Sequence, residues 1–179
     1  MVLIGIGGSG SGSGKTTAAC ALIRALSSDH GLRVGAMKCE PVSLYASVAD
    51  EPEVIGEPGK DTTLMKEAGA DEVLLVRAPR HDMEEALDVA LQRLSGCDVL
   101  VVEGNSAVEV LKPDIVLFIT GLSGTMPPDK QSAARVLAMA DVVVHGGQPP
   151  PGAPDRAQKY SRGESGQYTA RLISLIKGV

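Results

Sequence analysis

The 179-residue chain has no tryptophan, one phenylalanine and three tyrosines. Its core must therefore be aliphatic, and Val, Leu, Ile and Ala supply most of the 44% hydrophobic residues, which suits helices packed on a Val/Ile-rich parallel sheet. Cysteine is equally sparse. Cys20, Cys39 and Cys97 lie far apart and form no C-x-x-C pair, so neither a zinc site nor a disulfide framework is signalled, and a reducing cytosol fits. Basic excess is missing too. A net charge of −5 argues against nucleic acid or an anionic membrane as the main partner, since both need a basic face, although a small polyanion held by one local loop is still allowed. No apolar run reaches the ~18 residues of a membrane span. Residues 2–6 are apolar but lack a basic leader and are shorter than a signal-peptide core. The expectation is a soluble cytoplasmic protein.

What the chain does have is alternation. Short runs rich in β-branched residues recur at 2–6, 33–37, 72–76, 98–102, 114–119 and 141–144, each of strand size. Between them, Met83, Ala86, Leu87, Ala90, Leu91 and Leu94 set an apolar stripe on one helix face. Ala19, Leu22, Ile23 and Leu26 form another, Leu64, Met65 and Ala68 a weaker one, and Tyr168, Leu172, Ile173, Leu175 and Ile176 a closing helix. Strands alternating with helices predict a three-layer α/β fold, a parallel sheet with helices on both faces, in a single domain over residues 1–179. Residues 39–59 and 146–166, rich in Pro, Gly and charge, are expected to be loops.

The stretch GGSGSGSGKTT follows the first predicted strand and precedes the first predicted helix. A mobile Gly/Ser linker shares this composition but has no reason to sit there, whereas a phosphate-binding loop must. Gly10, Gly12 and Gly14, with Ser11 and Ser13 between them, let backbone N–H groups turn inward on a triphosphate, and the helix N-terminus adds its dipole. Lys15 would reach the β- and γ-phosphates and the Thr16 hydroxyl would coordinate Mg²⁺, with Thr17 closing the motif. The usual G-x-x-x-x-G-K-[ST] pattern wants a glycine at position 9, where the chain has Ser9. The loop begins either there or, one residue longer, at Gly8.

Such a loop needs an acid at the end of another strand. Glu103-Gly104 supplies it after four apolar residues. Lys38 follows the second predicted strand and should lie at the same C-terminal edge, where open α/β sheets bind ligands. Asp61 or Thr62 is placed to cap a helix, a role compatible with a carboxylate on the metal side. Lys15, Lys38 and Glu103 are the candidate catalytic residues, and Thr16, Glu103 and Asp61 the candidate Mg²⁺ ligands. His145, Gly146 and Gly147 follow the last predicted strand, where the base is often held. With no Asn-Lys-x-Asp motif present, ATP and GTP both stay open. His81, Asp82 and Glu84 read as a helix start.

Ser11-Gly12-Ser13-Gly14-Lys15-Thr16-Thr17 resembles the loop of the molybdopterin-guanine dinucleotide biosynthesis protein B family. Glu57-Pro58-Gly59-Lys60-Asp61-Thr62, followed by Lys66-Glu67-Ala68-Gly69-Ala70, is similar to that family's P-G-K-D-[ST] and K-A-G-A segment, and Val101-Val102-Glu103-Gly104 to its strand end. The resemblance implies a P-loop fold of the class that includes metallochaperone and signal-recognition GTPases, often dimeric and weak in intrinsic hydrolysis. It also implies a nucleotide-dependent accessory role beside a molybdenum-cofactor guanylyltransferase. Two segments depart from the pattern: Lys38-Cys39-Glu40-Pro41, where histidines usually follow the lysine, and Asn105-Ser106-Ala107. Lys38 and Pro41-Val42-Ser43, the span from Gly8 to Gly14, Glu103-Gly104 and a strand ending near Gln148-Pro149-Pro150 are similar to dethiobiotin synthetase and its amidoligase cousins. That alternative implies an ATP-dependent synthetase acting on a small carboxylate or carbamate.

Overall fold

The computed structural model describes residues 1–122 and 131–176. Eight strands form one sheet: β1 (Val2–Gly8), β2 (Val34–Pro41), β3 (Ser47–Ala49), β4 (Glu72–Ala78), β5 (Val99–Glu103), β6 (Ile115–Ile119), β7 (Val142–His145) and β8 (Gln158–Ser161). Their spatial order is β3-β4-β2-β5-β1-β6-β7-β8. Every pairing is parallel except β3 with β4. The helices are α1 (Lys15–Arg24, continued by a π-helical turn), α2 (Pro52–Ile55), α3 (Asp61–Glu67), α4 (Met83–Arg93), α5 (Asn105–Leu111), α6 (Gln131–Met139) and α7 (Ser165–Ile176). The expected three-layer α/β arrangement is what forms. Among the described residues no helix is long and apolar enough to cross a membrane.

The two-residue period of a strand decides which face each residue serves. Ile4, Ile6, Val34, Ala36, Val99, Val101, Ile115 and Leu117 point to one side, against Leu22 and Ile23 of α1, Met65 of α3 and Leu172 of α7. The intervening Met37, Leu100 and Val102 meet Met83, Leu87 and Leu94 at α4, and Val116 and Phe118 meet Val108 of α5 and Val136 of α6. Carrying the same alternation to the strand ends puts Lys38 and Glu103 on the α1/α3 side. They are direct neighbours in the β2–β5 register, and Glu103 is likewise level with Ile6 of β1. The buried apolar faces thus fix where the two charges stand.

The six expected strands correspond to β1, β2, β4, β5, β6 and β7, with the expected ranges at β2, β5, β6 and β7 each beginning one residue early. Two expected loops are not wholly irregular. Residues 39–59 contain the end of β2, β3 and α2, and residues 146–166 contain β8 and the start of α7. Both extra strands are edges of the sheet, and neither has a fully buried residue. Apart from Val48 and Tyr160, which pack on the core, backbone pairing defines them, so they lack the apolar alternation by which a strand is read from sequence. The strand expected to end near Gln148 stops at His145.

Candidate functional site

Chain leaves the sheet at Gly8, the last residue of β1. A Cβ on Gly8 would lie 2.4 Å from Ser13 Oγ and 2.7 Å from the Ile119 carbonyl oxygen, so no side chain fits there. Ser9 follows with no such demand. Its N–H donates to the Ile119 carbonyl at 3.0 Å and its Oγ accepts from the Gly121 N–H at 2.9 Å. Among non-glycine residues described, only Lys112 has a positive φ, so position 9 needs no glycine and its hydroxyl ties the loop to the end of β6. Gly12 and Gly14 do need their freedom, with φ of 70° and 95°. Lys15 opens α1, and its Nζ folds back to donate to the Gly10 carbonyl at 2.8 Å. Ser13 is buried, and its Oγ has no hydrogen-bond partner. Ser11 and Thr17 are exposed at the loop tip and on the first turn of α1.

Two residues that sequence reasoning missed hold this loop. The Asn105 side-chain amide pairs with Gly8 as a second backbone would: Nδ2 donates to the Gly8 carbonyl at 3.0 Å, and Oδ1 accepts its N–H at 2.9 Å. Arg162, just past β8, donates from Nη2 to the carbonyls of Ser13 and Thr120, the latter at 2.9 Å. Its guanidinium lies where a Cβ on Gly14 would come within 3.1 Å. Asn105 stands directly behind the Glu103-Gly104 strand end, a signal that could have found it. Arg162 comes from a segment with no pattern of its own.

The charged centre lies beside the loop. Thr16 Oγ1 donates to Glu103 Oε2 at 2.9 Å. Lys38 Nζ sits between two carboxylates, 2.6 Å from Glu103 Oε1 and 2.5 Å from Asp61 Oδ2. The side chain of Glu103 is 1% exposed and that of Lys38 13%, so the charges meet largely out of water, where pairing is strong and an unpaired partner is costly. Burial alone would lower the Lys38 pKa, but the Glu103 and Asp61 charges and hydrogen bonds raise it on balance. Asp61 mirrors this: burial pulls its pKa up, and the hydrogen bond from Lys38 leads the effects that bring it below the usual value. Asp61 is the first residue of α3 rather than its cap, and Thr62 Oγ1 donates to the Ile55 carbonyl at 2.7 Å. The expected capping role belongs to neither residue, because each side chain is committed elsewhere.

Among the described residues no group of three or more His, Cys, Asp or Glu is gathered for a metal. Thr16, Asp61 and Glu103 instead offer one hydroxyl and two carboxylates, the oxygen donors that suit Mg²⁺ when phosphates and waters complete its shell. The orphaned Ser13 hydroxyl and the open space around Gly12 fit a phosphate-bearing ligand on the loop. Cys39 is buried beside Gly104, and burial pushes its thiol pKa far up, so it packs and does not react. His145 Nδ1 lies 2.8 Å from the Gly147 carbonyl oxygen at the end of β7. His81 and Asp82 form a surface pair at 3.5 Å, away from the loop. A cleft of about 680 Å³ opens from Gly10, Ser11 and Lys15 across Lys38 to Arg80, Ser106 and Ser132.

Comparison with known proteins places this arrangement. A structure of a MobB protein homolog from Bacillus stearothermophilus matches with a TM-score of 0.56 at 18% identity over 100% of both chains. Hydrogenase maturation factor HypB from Archaeoglobus fulgidus gives a TM-score of 0.59 at 16% identity over 99% of this chain and 89% of that one. The signal recognition particle 54 kDa protein from Aeropyrum pernix, in complex with GDP, gives 0.54 at 17% identity over 99% and 46%. At these identities the likeness is one of fold. No match was found among curated protein sequences. The family model for molybdopterin guanine dinucleotide synthesis protein B matches residues 3–141, a stretch that holds the loop, Lys38, Asp61 and Glu103. On that match, which spans well over half of the sequence, the chain belongs to the molybdopterin guanine dinucleotide synthesis protein B family.

Proposed function

We propose that the chain binds a Mg²⁺–nucleoside triphosphate on residues 8–17, hydrolyses it slowly, and serves as a nucleotide-dependent accessory protein in molybdopterin guanine dinucleotide synthesis. The observation that carries this reading is the 2.9 Å bond between Thr16, on the loop's helix, and Glu103, on the neighbouring strand. It joins the phosphate side of the site to its acid side. The loop N–H groups and the start of α1 would cradle the phosphates, and Lys15 would leave the Gly10 carbonyl to meet the terminal ones. Thr16 and Glu103 would hold Mg²⁺, with Asp61 near enough to hold one of its waters. When bound, the ion neutralises charge on the phosphate oxygens. In this reading GTP and ATP are both candidate nucleotides, and a guanylyltransferase and a second copy of the chain are candidate partners. The synthetase alternative loses one support, since β7 does not reach Gln148.

Thermal shift with ATP and GTP, each with and without Mg²⁺, tests the reading on the parent protein and Lys15→Ala. The expected outcome is several degrees of stabilisation that requires Mg²⁺ and disappears in the variant, as mass action demands of a ligand bound only to the folded state. No stabilisation of the parent by either nucleotide would overturn the assignment.

A further inference from the structure

Lys38 stands where the reading above puts a metal ion. Its ammonium is 2.6 Å from Glu103, a proposed Mg²⁺ ligand, and 2.5 Å from Asp61, which would hold one of the ion's waters, while the other proposed ligand, Thr16, is bonded to Glu103. Mg²⁺ sits about 2.1 Å from its oxygen ligands, so one position between these oxygens accepts either cation but not both. Two like charges forced together there would repel strongly in so buried a place. Whichever cation leaves must be replaced by the other, because the side chain of Glu103 is only 1% exposed and a buried charge without a partner is costly.

The lysine also has somewhere to go. Lys38 is also a lining residue of the 680 Å³ cleft that runs beside the loop. The other charges on that cleft are mostly spoken for: Glu40 pairs with Arg77 at 3.1 Å, and Arg135 with Glu109 at 2.6 Å. Arg80 is exposed and makes no ion pair among the described residues. A terminal phosphate on Lys15, Gly10 and Ser11 would fill one wall and leave Arg80, Ser106 and Ser132 facing open space. A volume of this order holds a small molecule beyond that phosphate.

We propose that Lys38 is an internal counter-cation that keeps the metal position filled until Mg²⁺ arrives with nucleotide, and that the exchanged ammonium turns into the cleft, where with Arg80 it forms a site for a small organic anion. The proposal rests on the nucleotide reading. It deepens that reading by naming a second ligand and the event that admits it. Lys38 acts here as a binding residue with two alternative partners, and the order of binding follows from the exchange.

Mn²⁺ binding, followed by electron paramagnetic resonance, tests the first half without any turnover. Nucleotide-free parent protein should bind Mn²⁺ at least tenfold more weakly than nucleotide-free Lys38→Met, in which the carboxylates have lost their cation. Equal affinities would overturn the exchange. The second half uses phenyl phosphate and benzoate as probes, titrated by calorimetry into parent protein saturated with a non-hydrolysable triphosphate analogue. With Mg²⁺ present, one or both probes should bind, the stronger identifying a phosphate or a carboxylate as the preferred group. Binding should weaken at least tenfold when Mg²⁺ is omitted and in Arg80→Ala. Arg80 touches neither carboxylate, so this variant should retain the parent's fold and analogue affinity. Failure of both probes, or affinities indifferent to Mg²⁺ or Arg80, would overturn the site. Should the analogue itself not bind, it is the nucleotide reading that fails.

Discussion

Gly8 shows how closely a single residue can be constrained by what surrounds it. An added methyl would press on Ser13 Oγ and the Ile119 carbonyl, one of which is backbone and cannot move without disturbing β6. Gly8→Ala should therefore destabilise the protein by about 1–3 kcal/mol, the range for overpacking, and should weaken nucleotide stabilisation because the strain falls on the loop. Urea unfolding with and without Mg²⁺–nucleotide measures both effects; an unchanged midpoint would show that the loop has room to shift. Ser9→Gly is the informative control. It removes the bond to the Gly121 N–H without adding bulk, so any loss belongs to that hydrogen bond and to the freer backbone. Both loop starts were open in the sequence because Gly8 and Ser9 are equally plausible first residues of such a turn. The Ser13 hydroxyl and the carbonyl of a strand more than a hundred residues away distinguish them.

At the level of elements, the loop is braced from two directions. Asn105, opening α5, fastens its entry to β1, and Arg162, leaving β8, fastens its exit and the end of β6 through backbone carbonyls. Arg162 thus connects the sheet's edge strand to the proposed phosphate loop and brings a positive charge near it. Arg162→Gln should raise the nucleotide dissociation constant by roughly tenfold, equivalent to about 1.4 kcal/mol, and lower the nucleotide-free melting temperature by only a few degrees. Arg162→Lys should recover part of the affinity through its charge, but not all, since one ammonium cannot reproduce a planar fork of donors. A purely structural role would instead move stability and affinity together in both variants. The same elements mark the limit of what the sequence discloses. Strands β1, β2, β4, β5, β6 and β7 are legible because they bury apolar residues, and Lys15, Thr16, Lys38, Asp61 and Glu103 are legible because each follows an apolar run or stands in the first turn of a helix, although Lys38 and Glu103 prove to lie within β2 and β5 themselves. Arg162 is not, since β8 is a polar edge strand whose place depends on β7.

For the molecule as a whole, Lys38 links β2, β5 and α3 at the sheet's C-terminal edge, and this linkage makes global stability depend on pH. The pKa of Lys38 is raised from its usual 10.5, so its contribution is fully present below that value and is lost as pH climbs through the higher folded-state value. Asp61 is lowered from 3.8. Its contribution is present above 3.8 and is lost as pH falls through the lower folded-state value. These two groups leave stability flat between pH 5 and pH 9. Lys38→Met should change the shape of the curve and not only its height. Two carboxylates left facing each other without a cation favour the uptake of a proton, so the folded variant binds protons more tightly than the unfolded chain does. By linkage, acidification from pH 7 towards pH 5 should then stabilise the variant, while the parent shows no such gain. Urea midpoints measured across that range decide the matter: parallel curves for parent and variant would mean that the Lys38 ammonium does not set how stability responds to acid.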